Sequence, residues 1–64
     1  MATVIPQYSK AIELNPRYAK AYNNRGMAYI LKGDYKSGCY DLKNSCNLGV
    51  CEGYNHAKQE RYCQ

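Results

Sequence analysis

Four cysteines and one histidine carry the chemistry available to this 64-residue chain: Cys39, Cys46, Cys51 and Cys63, with His56 between the last two. Cysteines oxidise in pairs, and four of them admit three connectivities. Thiolates and imidazole also bind zinc, but structural ligands come in pairs with two to four residues between them, and Cys46 with Cys51 alone has that spacing. A thiol beside an imidazole can attack a carbonyl, yet His56 has no accompanying oxyanion-hole loop or cleft. The plainer reading leaves His56 as an exposed helical residue and Cys39 and Cys46 as small buried apolar ones. No catalytic group, metal site or cofactor is therefore expected.

Composition narrows the classes further. Val, Ile and Leu are scarce, Phe and Trp are absent, and the apolar count rests on Ala, Met, Cys and eight Tyr. A chain this short forms one domain with a small core, which argues against a self-contained enzyme. The net charge of +4 comes from lysines and arginines spread singly along the sequence, so no nucleic-acid patch is expected. The best apolar run, residues 28–31, falls far short of the ~20 residues of a membrane span. Residues 1–6 lack the basic and apolar regions of a secretory signal. The compartment stays open, with an extracytoplasmic one favoured only if the cysteines are bridged.

The elements that must position these side chains are set by punctuation. Asn15-Pro16, Gly33-Asp34 and Leu48-Gly49 each end a span rich in Ala, Leu, Lys, Glu and Tyr that lacks the alternation of a strand. The reading is all-α, with helices at 5–14, 18–32, 35–48 and 52–62 joined by turns short enough to make each antiparallel to the one before. Asp34 is placed to cap the third helix. On the second helix Tyr22, Gly26 and Tyr29 share a stripe, with Ala21 and Ala28 adjacent. On the third, Tyr35, Gly38, Cys39, Leu42 and Cys46 share another, so large rings beside small residues replace the missing aliphatics.

This geometry bears on the cysteines. Along single helices Cys39 and Cys46 stand ~10 Å apart and Cys51 and Cys63 ~18 Å, beyond the ~7 Å limit for bridged α-carbons. In an antiparallel hairpin turning near Gly49-Val50, Cys46 opposes Cys51 and Cys39 opposes Cys63. The remaining connectivity is out of register by roughly ten residues. The favoured bridges would staple the fourth helix to the third at both ends, provided the environment is oxidising; otherwise the cysteines remain free.

The residues from Ala19 to Glu52 resemble one tetratricopeptide repeat, with Tyr22, Gly26, Ala28, Tyr29, Gly33-Asp34-Tyr35 and Leu42 in the order and spacing of its signature. Residues 8–16 resemble the end of a preceding repeat in the same register. The chain departs at Gly38 and Ser45, where the family prefers Ala, and at Val50, where it has Pro. The resemblance implies a single domain over 1–64 built as a short solenoid: 1–16 the second helix of a partial repeat, 19–52 a full repeat, and 53–64 a capping helix with Tyr54, Ala57 and Tyr62 on its apolar side. It also implies a protein or peptide partner on the concave face, here Lys20, Asn23, Asn24, Met27, Ile30 and Leu31. A dicarboxylate clamp needs contributions from three repeats, of which only Asn24 and, less well, Lys20 match. The competing expectation is a homo-oligomer, in which the first helix docks its apolar side, Val4, Ile5, Tyr8, Ala11, Ile12 and Leu14, on a second copy or exchanges with that of a second copy.

Overall fold

The computed structural model describes residues 4–63. Residues 1–3 and Gln64, the outer ends of the expected 1–16 and 53–64 segments, lie outside the described residues, as does the side chain of Val4. Four helices follow in order: α1 Val4–Leu14, α2 Ala19–Lys32, α3 Tyr35–Asn47 and α4 Glu52–Gln59. Pro6 sits in the first turn of α1, where a missing amide costs no intrahelical bond. Asn15-Pro16 ends that helix, and the Asn15 side chain accepts from the Arg17 amide at 3.2 Å to shape the turn.

Each of the next three helices closes in the same manner. Gly33 (φ 95°) ends α2, its own amide bonding Ile30 O and the Asp34 amide bonding Tyr29 O. Gly49 (φ 110°) does the same after α3, with bonds to Cys46 O from its own amide and to Ser45 O from that of Val50. These are left-handed positions that glycine adopts without cost, and the paired bonds satisfy carbonyls the helix would otherwise leave open. Asp34 caps α3 by accepting from the Ser37 amide at 3.2 Å. After α4, Arg61 takes the left-handed role with φ 63°, its amide bonding Lys58 O and that of Tyr62 bonding Ala57 O. The fourth helix therefore ends at Gln59 and not at 62, because the chain turns back there toward α3.

The α2–α3 hairpin is the centre of the molecule, with α1 packed on α2 and α4 laid across both α2 and α3. Gly26 and Gly38 face each other across it. A Cβ on Gly26 would stand 2.9 Å from Gly38 O and 2.7 Å from Leu42 Cγ, and one on Gly38 would stand 2.8 Å from Gly26 O. The departure from Ala at Gly38 thus lets the two backbones touch. Leu42, fully buried, Ile30, Ala57 and Cys63 make the core, with Met27, Cys39 and Tyr54 against it. Ala21 and Ala28 are buried as expected, while Tyr35 and Cys46 sit farther out than the expected α3 stripe and Asp41 and Ser45 go in.

Candidate functional site

The face of α2 receives the six expected partner-binding residues, and the structure sorts them into two sets. Lys20, Asn24 and Leu31 are exposed, and Met27 is half-buried. These four recur at helical spacing and form one stripe along α2. Asn23 and Ile30 lie beside it and are already engaged. Asn23 Oδ1 accepts from the Gly53 amide at 3.1 Å, serving as a borrowed cap for the first turn of α4. Any Cβ at position 53 would collide with the Asn23 side chain and stand 2.7 Å from Leu42 Cδ2, so the contact requires glycine. Ile30 is 5% exposed and fills the space beside Gly38, which corrects the expectation that it edges the concave face: α4 and α3 close over it.

Beneath this face lies a polar contact that the sequence reading missed. Arg25 donates to both carboxylate oxygens of Asp41, from Nε at 2.6 Å and Nη2 at 2.8 Å, and from Nη1 to Ser9 Oγ at 3.1 Å. One guanidinium thereby ties α1, α2 and α3. The Asp41 side chain is 2% exposed and that of Arg25 18%. The hydrogen bonds that Arg25 donates to Asp41 raise its pKa above the ordinary value against the opposing effect of burial, so the guanidinium stays charged. Tyr22 and Tyr29, expected only to fill space, bracket the guanidinium carbon at 5.8 and 5.9 Å from their ring centroids. Asp41 sits three residues after Gly38 and one before Leu42, which was the available signal for its burial.

The other two departures from the repeat pattern act on one turn. Ser45, fully buried where the family prefers Ala, donates from Oγ to Val50 O at 2.6 Å. Val50 stands where the closing Pro is expected. The hydroxyl thus fixes the α3–α4 turn from inside, and next to it the structure brings Cys46 and Cys51 to disulfide-bonding distance. At the far end of α4 it does the same for Cys39 and Cys63, whose α-carbons are 5.6 Å apart. His56 is exposed on α4. Among the described residues no group of three His, Cys, Asp or Glu side chains is placed to hold a metal ion, and no helix is long and apolar enough to cross a membrane.

Of the α1 side chains expected to offer an apolar side, Ile5, Tyr8, Ala11 and Ile12 are half-buried and Leu14 is 75% exposed.

Comparison with known proteins agrees with this architecture. A family model described as "Tetratricopeptide repeat" matches residues 7–40, a little over half of the chain. The chain is 45% identical over 53 residues to "Tetratricopeptide repeat protein 36" of Xenopus tropicalis, covering 83% of this chain and 26% of that protein. It is 36% identical over 53 residues to the protein of the same name from Bos taurus, covering 83% of this chain and 28% of the relative. The chain thus spans about a quarter of the length of these curated relatives. No solved structure gives a significant match. Repeats of this kind generally mediate protein–protein interaction and are generally non-catalytic. The matched segment runs from α1 through α2 into the first half of α3: the chain belongs to the tetratricopeptide repeat family.

Proposed function

We propose that the chain is a non-catalytic interaction module that holds a segment of a partner protein along the α2 stripe of Lys20, Asn24, Met27 and Leu31. The observation that carries this reading is Leu31, 73% exposed on the same line as a carboxamide and a cation. An apolar side chain with those two neighbours can bury an aliphatic group of a peptide while Asn24 bonds its backbone and Lys20 pairs with a carboxylate. Peptides selected from a random library against the chain test it. The double variant Asn24→Ala, Leu31→Ala should weaken their binding by at least about tenfold, the loss expected of central contact residues. Unchanged affinity would move the interface off α2.

A second reading, self-association through α1, is favoured by one observation: no described α1 side chain is fully buried, and Leu14 is left almost entirely in solvent. Sedimentation at two well-separated concentrations separates the two, since a concentration-independent monomer leaves self-association no role.

A further inference from the structure

We infer that the groove between α3 and the turn after α4 binds an extended, acidic, proline-containing segment of a partner protein, at a site distinct from the α2 stripe. The groove has a volume of about 380 Å³ and gathers Tyr35 and Tyr40 from α3, Tyr54 from α4 and Tyr62 from the closing turn, with Lys36 and Lys43 beside them. Tyr35 and Tyr62 pair at 5.1 Å between centroids with their planes 32° apart. Both remain substantially exposed, and Tyr40 is 69% exposed. Tyr54 leans against the core at the floor, and the three exposed rings above it make a recognition surface on so small a molecule.

The chemistry of the lining selects the occupant. Aromatic faces accept prolyl rings, and the phenolic hydroxyls donate to carbonyls. A polyproline-type segment suits both, because it has no internal hydrogen bonds and keeps its carbonyls outward. Charge selects further. Among the described residues no carboxylate lines the groove, whereas Lys36 and Lys43 do, and Lys58 Nζ stands 5.3 Å from the Tyr54 ring centroid. These cations favour an acidic segment and repel a basic one. A second copy of this chain, with its own net charge of +4, repeats the sign of the groove and is disfavoured as occupant.

Cys39 and Cys63 also line the groove, and their bridge holds Tyr62 opposite Tyr35. The groove therefore depends on that bridge directly, since both of its cysteines line it. The test uses the oxidised chain and a fluorescent peptide of alternating glutamate and proline, compared by anisotropy with a Lys-Pro and a Glu-Gly peptide. The Glu-Pro peptide should bind best, with the Lys-Pro peptide not bound. Charge reversal at the exposed Lys36→Glu and Lys43→Glu should weaken binding by at least about tenfold. Cys63→Ser should weaken it too, while Asn24→Ala with Leu31→Ala should leave it unchanged, so failure here is distinguishable from failure of the α2 reading. Absence of binding, equal affinity for the Glu-Gly peptide, or insensitivity to the lysine reversals would overturn the inference. So would loss of binding in the α2 variant alone.

Discussion

On one side of the α2–α3 hairpin, α1 uses 11 residues and fully buries none whose side chain is described; on the other, α4 uses 8 and buries Gly53 and Ala57. The shorter helix is the more firmly attached. Eight residues are too few to hold a helix in water, so α4 depends on what the hairpin lends it. Asn23 satisfies its first turn, Ser45 fixes the turn leading into it, and a cysteine pair stands at each end. Among the described residues, α1 by contrast rests on partial burial and the bond from Arg25 to Ser9. Covalent and polar ties thus do at the α4 side what a larger hydrophobic contact would do in a longer repeat stack.

Removing the ties should expose that asymmetry. In the oxidised chain, replacing Cys39 and Cys63 together by Ser should have the largest effect, about 3 to 4 kcal/mol. The Cys46 and Cys51 pair should cost nearer to about 2, because the loop closed by the first bridge is longer. The separations are 24 and 5 residues. Urea denaturation with and without reductant measures both, and equal losses would show that native contacts, not the entropy of the unfolded chain, set the contribution of the bridges.

The α1 side should fail differently. Asp41→Ala leaves a partly buried guanidinium without its partner and should cost about 3 kcal/mol, the lower part of the range for such pairs because Arg25 retains some solvent. Hydrogen exchange should rise first in α1, whose Ser9 shares that guanidinium. The double variant Arg25→Met, Asp41→Leu removes both charges and should lose less than about 1 kcal/mol. A double variant as unstable as the single one would mean that the ion pair itself, and not merely the avoidance of an unpaired charge, stabilises the hairpin.

These interactions also mark where the sequence was legible. The punctuation at Pro16, Gly33 and Gly49 located three helix ends closely, since each residue has one steric reason to stand there. The facing glycines and the tyrosine spacing gave the hairpin and its family. Antiparallel register placed Cys39 opposite Cys63 and Cys46 opposite Cys51, as they lie in the structure. What stayed hidden was pairing between distant polar residues. Asp41 reads as a surface carboxylate until Arg25 is known to reach it, and Asn23 as a free carboxamide until α4 folds across it. Ile30 was misplaced for the same reason: a face that would be open in an isolated helix pair is covered once α4 arrives. Helical periodicity reports which residues share a side, but not what comes to lie on it.

The end of α4 was illegible for a further reason, and it supplies the smallest test. Arg61 occupies the position that Gly33 and Gly49 hold after the two preceding helices, yet it carries a Cβ that crowds the backbone at φ 63°. Nothing in its type announces a helix end, so the helical pattern reads on through it. The turn nevertheless has to form there, because it delivers Cys63 to Cys39 and Tyr62 to Tyr35. Relieving the crowding with Arg61→Gly should stabilise the protein, and the greater freedom glycine brings to the unfolded chain should offset part of the gain. A net increase of about 0.5 kcal/mol is expected. The same substitution in a Cys63→Ser background should leave the gain intact if the turn is set by its own paired amide bonds to Ala57 and Lys58. If the gain vanishes there, the disulfide and not the local hydrogen bonding forces Arg61 into the left-handed conformation.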